Sequence, residues 1–292
     1  MRQDGPAFDF PGLADHVERF RRDGFAHVPG VLTPAEVQRY HQAVGEAVAT
    51  RKAGDTRAFA EKTPYEQSFL QCEYIWEDFP AVRPLTFHQT VAGLAAALLG
   101  AKAVRIWHDQ ALYKEAGGRE TEAHQDHAYW PITQAAAITA WMPLVDVDLD
   151  GGCMGYVAGT GEADLDYIDI FRKPGAGKAL EAKHAAPTWA PCKAGDVIFH
   201  GARTVHMARP NTSGRMRAVH TAIYFADGCT RAARGGHPSV DRDHIAPGAR
   251  IGGAATPIAW PRAPGDLPEP APWPDFGEHH RRVAALGVLP RP

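Results

Sequence analysis

Cysteines, long apolar runs and excess charge are all scarce in this chain of 292 residues. The four cysteines, Cys72, Cys153, Cys192 and Cys229, lie far apart and form no CxxC pair. That spacing excludes a zinc ribbon and a disulfide framework and reads as ordinary reduced thiols. The longest apolar run, residues 91–99, is too short to span a bilayer. Residues 1–11 carry Arg2, Asp4 and Asp9 without the apolar stretch of a secretory leader, so the expected location is cytoplasmic. A formal net charge of -3 gives no electrostatic reason to expect nucleic acid or an anionic membrane as partner. A small molecule is the expected partner, and the number of subunits is left open. The 45% hydrophobic and 22% charged content is that of a soluble globular enzyme.

The hydrophobic period changes along the chain. Residues 15–23 have helical spacing, and residues 24–32 read as a short strand ended by turn residues. Thr33-Pro34-Ala35-Glu36 predicts a helix start, with Thr33 as cap, Pro34 in the first turn and Glu36 reaching back, and the helix should run to about Arg51. A polar interval follows to residue 64. Two helices are then expected before Gly100, which supplies the stop. From Ala101 onward strands are predicted at 103–114, 135–147, 153–157, 196–200, 204–208 and 215–227, separated by turn clusters such as Asp150-Gly151-Gly152. Helices first and strands afterward predict one domain over 1–292, mainly β with flanking helices. Residues 1–100 would be helical support, 101–227 the sheet core and 228–292 an irregular C-terminal extension. Trp260 and Trp273 in that extension predict that part of it packs on the body, as a lid would, and a short helix is expected near 279–286.

The chemistry centres on His124-Gln125-Asp126 and a distant His206. In a strand, residues two apart point the same way, so His124 and Asp126 can face one point while Gln125 faces away. Two imidazoles and one carboxylate leave part of a metal's coordination open, which is the ligand set of non-haem Fe(II) oxygenases. A symmetric hairpin around Asn211-Thr212 would place His206 directly opposite Arg217, and opposed residues share a face. A guanidinium projecting into a core needs an anion. 2-Oxoglutarate fits both ends, with keto-acid oxygens for Fe(II) and a distal carboxylate for Arg217. Arg215 shares that face and is the rival. Zinc in the same ligands would make a hydrolase, and a metal-holding sensor without turnover would need neither co-substrate nor dioxygen.

These motifs carry a family resemblance. His124-Gln125-Asp126 with Ala128-Tyr129-Trp130-Pro131, then residues 195–201, His206, Pro210-Asn211-Thr212-Ser213 and Arg217, resemble the phytanoyl-CoA dioxygenase family of Fe(II)- and 2-oxoglutarate-dependent oxygenases. The resemblance implies a double-stranded β-helix, a jelly roll of the cupin kind. It also implies His124, Asp126 and His206 as catalytic iron ligands and Arg217 as co-substrate anchor. Gln110 and Trp141, and less directly Gln71, fall where the family contacts 2-oxoglutarate. Where the family often has a hydroxyl two residues past the distal histidine, this chain has Ala208, so Thr139 or Tyr113 would substitute. Retention of Asp126 favours oxygen transfer over halogenation. The implied activity is dioxygenase chemistry with O2, hydroxylating a C–H bond and releasing succinate and CO2.

Other candidates follow by position. His127, Tyr129 and Trp130 should border the metal cavity as substrate-binding residues. His200 and His220 read as core or ligand-supporting histidines, and His108 and Asp109 as supporting or surface groups. Tyr74 and Trp76, with Trp260 or Trp273, are candidates for the pocket entrance.

Overall fold

The computed structural model describes residues 8–162, 168–170, 173–233, 235–263 and 265–274. The helix expected near 279–286 lies outside them. Helix α1 (Leu13–Asp23) ends at Gly24, whose φ of 84° a side chain would strain. A Cβ there would also come within 2.6 Å of the Thr204 hydroxyl, so chain reversal and close approach both require glycine. Strand β1 (Phe25–Val28) follows, and α2 (Pro34–Lys52) starts with the expected reciprocal Thr33/Glu36 capping box. Tyr40, Ala43, Val44, Ala47 and Val48 form its buried stripe at helical spacing.

The next segment holds more than helices. Strand β2 (Leu70–Glu73) and short helices α3 (Ile75–Asp78) and α4 (Arg83–Thr86) precede α5 (Gln89–Leu99), which stops at Gly100 as expected. The sheet region then runs β3 (Val104–Tyr113), β4 (Thr121–His124), β5 (Ala137–Pro143), β6 (Met154–Tyr156), α6 (Ala176–Glu181), β7 (Thr188–Ala190), β8 (Val197–Gly201), β9 (His206–Ala208) and β10 (Val219–Ala226). The C-terminal extension is not wholly irregular, since it supplies α7 (Pro238–Asp241) and β11 (Ile258–Trp260).

These strands form two antiparallel sheets. The larger has the order β1-β8-β5-β10-β3-β11 with β2 added on β3, and the smaller has the order β4-β9-β6-β7. From β3 to β6 and again from β7 to β10 successive strands alternate between the sheets, which is the winding of a double-stranded β-helix. The larger sheet packs one face on the helices through Val44, Leu94, Ala111, Ala140 and Ala222. Its other face meets the smaller sheet through Phe25, Trp141, Tyr156, Ile198 and Val219. Period-two alternation assigns each residue to one of these layers. On β3, His108, Gln110 and Leu112 line the cavity between the sheets, while Ala111 and Tyr113 join the helical core. All four cysteines are buried free thiols, and no described helix is long and apolar enough to cross a membrane.

A polar clasp ties helices to sheet. Asp109, fully buried on β3, accepts hydrogen bonds at Oδ2 from the Thr86 hydroxyl (2.8 Å) and the Trp76 amide (3.0 Å), and His220 of β10 sits 3.6 Å away. Asp109 is thus neither a ligand support nor a surface group. Burial pushes its carboxyl up to about 8 and the His220 imidazole down to about 3. A folded-state pKa above the unfolded value gives stability that is present below the ordinary carboxylate range and lost as pH rises toward 8. Wild-type protein should therefore lose melting temperature between about pH 5 and 8, and Asp109→Asn should flatten that limb. Parallel melting curves for the two proteins would refute this assignment. His220 carries the opposite dependence at acid pH, but it is common to both proteins.

Candidate metal centre

His124 closes β4, His206 opens β9, and the two are register partners across the smaller sheet. Their rings lie 4.2 Å apart. The strand expected through His124-Gln125-Asp126 ends at His124, but Gln125 stays extended (φ -116°, ψ 133°) before a 3-10 turn, Asp126–Tyr129. One extended residue between the ligands is enough to bring both side chains to the same side. Gln125 points away and bonds the Arg203 carbonyl. Asp126 Oδ1 lies 3.7 Å from both His124 Nε2 and His206 Nε2, and one donor atom from each of the three residues falls within 4.8 Å of the others.

The protonation states suit a cation. His124 Nδ1 faces the Glu122 carbonyl at 2.8 Å and His206 Nδ1 faces that of Thr204 at 2.9 Å. A carbonyl can only accept, so the proton sits on Nδ1 and the Nε2 lone pair is turned to the centre. Burial, followed by the neighbouring imidazole, pushes each of these histidines down to about 4, so both are neutral at pH 7. Burial opposes charge on Asp126, yet His206, His200 and His124 together hold its carboxyl well below the usual range. A half-buried anion between two neutral imidazoles fits a divalent ion such as Fe(II).

The centre opens into a cavity of about 680 Å³, within the usual range for small-molecule sites. Arg217 lies in its wall, 3% exposed, with Nη1 donating to the Gly152 carbonyl at 2.6 Å and the guanidinium 5.5 Å from the Trp141 ring centre. Its Nε has no hydrogen-bond partner, and no described carboxylate pairs with it. Burial pushes its pKa down to about 10, so the cation persists at neutral pH with spare donors facing the cavity. Gly152 is fitted to this contact, because at φ 80° a Cβ would come within 2.9 Å of the Lys114 side chain and 3.1 Å of the Arg209 carbonyl.

The hairpin expected to join His206 and Arg217 does not form. Strand β9 pairs with β4 and β6 in the smaller sheet, whereas Arg217 bridges Lys114 beside the larger one. The segment around Asn211 is a crossing between sheets, pinned where Asn211 Nδ2 donates to the carbonyls of Lys114, Glu115 and Arg215. The two residues reach one cavity from opposite sheets, so the shared destination holds while the register does not. Arg215 is exposed outside this wall.

The remaining candidates divide. Gln71, Gln110, Trp141, Thr139, Tyr129, Trp130 and Tyr74 line the cavity. Gln71 Nε2 donates to Gln110 Oε1 at 2.6 Å. Thr139 spends its hydroxyl on Asp126 Oδ2 at 3.0 Å rather than leaving it to a co-substrate. His127 does not line the cavity, because the 3-10 turn rotates successive side chains by about 120° rather than the 180° of a strand. Tyr113 lies on the helical side of β3. Trp76 packs against Phe87, and Trp260 against Phe8. Trp273 stands behind Tyr74, donating to Glu77 Oε2 at 2.9 Å beneath the Arg242 guanidinium, so the extension is docked by a buried Glu77–Arg242 pair.

Sequence reasoning missed Glu73, His237 and the cavity position of His108. Alternation on β2 and β3 could have placed Glu73 and His108. Nothing local marks His237, which arrives from the extension to stack 4.5 Å from Trp107.

Comparison with known proteins agrees with this geometry. The family model described as phytanoyl-CoA dioxygenase matches residues 20–219. The non-haem α-ketoglutarate-dependent carbocyclase SnoK from nogalamycin biosynthesis is 29% identical over 84% of this chain and 95% of its own, with a TM-score of 0.71. The epimerase SnoN, solved with Fe3+, α-ketoglutarate and nogalamycin RO, is 28% identical over 86% of this chain and 100% of its own, with a TM-score of 0.66. EctD from S. alaskensis, at 22% identity over 77% of this chain and 78% of its own and a TM-score of 0.59, shares the fold. No curated protein matches the chain. The family match over residues 20–219 and the likeness to structures of 2-oxoglutarate-dependent iron enzymes, with a His-Asp-His cluster that could hold a metal, establish that the chain belongs to the phytanoyl-CoA dioxygenase family and is a 2-oxoglutarate-dependent non-haem iron oxygenase.

Proposed function

We propose that this oxygenase hydroxylates an unactivated C–H bond of an uncharged or cationic small organic molecule. The observation that carries the reading is Arg217, a buried cation without a carboxylate partner among the described residues, in the same cavity as His124, Asp126 and His206. The three ligands would hold Fe(II), and Arg217 would take the distal carboxylate of 2-oxoglutarate in a charge-assisted pair, with Gln110, Gln71 and Trp141 beside it. Bound iron, with 2-oxoglutarate and dioxygen, supplies the oxidising power that breaks the C–H bond and leaves succinate and CO2. The chain's own part is to orient the substrate, and Tyr129 and Trp130 present flat apolar walls for it.

Charge narrows the substrate class. Glu73 and Asp169 are carboxylates in the cavity lining, and among its described residues Arg217 is the one lysine or arginine. With that cation committed to the co-substrate, the described lining offers a polyanion such as an acyl-CoA thioester no second lysine or arginine.

A second reading concerns the outcome. SnoK is a carbocyclase and SnoN an epimerase, so at similar identity either outcome is open to this chain. The test is succinate release screened over amine-bearing, neutral and CoA-linked compounds, followed by product mass. Hydroxylation adds one oxygen, ring closure removes two hydrogens and epimerisation leaves the mass unchanged. Turnover of CoA thioesters in preference to the others would overturn the charge argument.

A further inference from the structure

We infer that Thr139 and His200 hold Asp126 to the metal through one oxygen only, and that this restraint keeps a coordination position free for the co-substrate. The inference rests on the reading of His124, Asp126 and His206 as iron ligands.

The geometry consists of two cross-strand pairs, one on each sheet. His124 and His206 are register partners of the smaller sheet. Thr139 and His200 are register partners of the larger sheet, on β5 and β8. Directly opposed residues share a face, so each pair projects into the space between the sheets, where Asp126 stands. Its two oxygens are divided between the pairs. Oδ1 lies 3.7 Å from the Nε2 atoms of both ligand histidines. Oδ2 accepts the Thr139 hydroxyl at 3.0 Å and lies 3.4 Å from His200 Nε2.

His200 has no competing engagement. It is 2% exposed, neither ring nitrogen has a hydrogen-bond partner among the described residues, and its ring is held 4.3 Å from His206 and 5.3 Å from Tyr156. An unpaired buried imidazole is costly, and the acceptor within reach is Asp126 Oδ2. A slight tightening of the 3.4 Å contact would satisfy it. It is not a fourth ligand in this arrangement, because its Nε2 faces the Oδ2 side of the carboxylate.

The chemical consequence concerns vacancies. An iron held by two histidines and one carboxylate oxygen would keep room for the keto acid and dioxygen. A carboxylate free to rotate can chelate through both oxygens and fill part of that room. Thr139 and His200 are thus positioning residues that act through Asp126. Their loss should weaken the co-substrate rather than the metal.

The test is anaerobic titration of Thr139→Val, His200→Phe and the double variant with Fe(II) or Co(II), then with 2-oxoglutarate. The double variant should keep metal affinity within a few-fold of wild type. Its apparent 2-oxoglutarate dissociation constant should rise about tenfold or more, the worth of one hydrogen bond to a charged group. The visible charge-transfer band of the Fe(II) co-substrate chelate should weaken, and the Co(II) absorption should change as Asp126 takes both positions. Thr139→Ser should restore wild-type values. If the double variant does not fold by circular dichroism, Thr139→Val and His200→Leu, neither of which can donate to Asp126 Oδ2, decide singly. Wild-type co-substrate affinity and band in the folded variants would overturn the inference while leaving the iron reading intact. Absence of the band in wild-type protein would instead remove the iron reading and this inference with it.

Discussion

Replacing His206 with alanine should abolish Fe(II) binding by the folded chain, and with it all 2-oxoglutarate-dependent succinate formation. His206 supplies one of two nitrogen donors, and its Nε2 is turned to the centre because the Thr204 carbonyl holds Nδ1. His124, Asp126 and His206 are the described donors that converge on one point, and removing one of three leaves too few to hold the ion. His200 lies close by, but its placement beside Asp126 Oδ2 does not let it stand in. Equilibrium dialysis with Fe(II) under argon checks this, with circular dichroism to confirm the fold. Stoichiometric binding by the variant would remove His206 from the ligand set.

Replacing Arg217 with alanine should leave metal binding intact and raise the apparent 2-oxoglutarate constant about 100-fold, the equivalent of about 2–3 kcal/mol for a buried charge-assisted pair. The guanidinium anchors on the Gly152 carbonyl through Nη1 and keeps its Nε unpaired. Arg217→Lys should recover only part of the loss, since an ammonium cannot present a planar fork. Arg215→Ala should change nothing, because Arg215 is exposed. Titration of 2-oxoglutarate against the charge-transfer band separates these cases. An unchanged constant in Arg217→Ala would move the anchor elsewhere.

The parts of the site that could be read from sequence are those that local geometry determines. One extended residue between His124 and Asp126 suffices to aim both side chains together, and Thr33-Pro34-Ala35-Glu36 carries its capping box within four residues. Strands β3, β5 and β10 are long enough for alternation or β-rich composition to show. Strands β2, β7 and β11 have only three or four residues, too few for a period to emerge, and no turn cluster or ligand motif marks them. Which sheet a strand joins depends on partners far away in the chain. That is why residues 206–208 and 215–217, close in sequence, read as the arms of a hairpin although β9 and the β10 that follows lie in different sheets. The support of Asp126 was hidden for the same reason, because Thr139 and His200 become neighbours only through the β5/β8 register.

Whether the three side chains converge on one ferrous ion is decided by anaerobic titration of the wild-type chain with Fe(II) in the presence of 2-oxoglutarate, followed by visible absorption. A converging His124/Asp126/His206 site predicts saturation at one ferrous ion per chain and a charge-transfer band that appears only when both components are present. Folded protein that binds no ferrous ion, or a band that persists unchanged when His124 and His206 are both replaced, would contradict it.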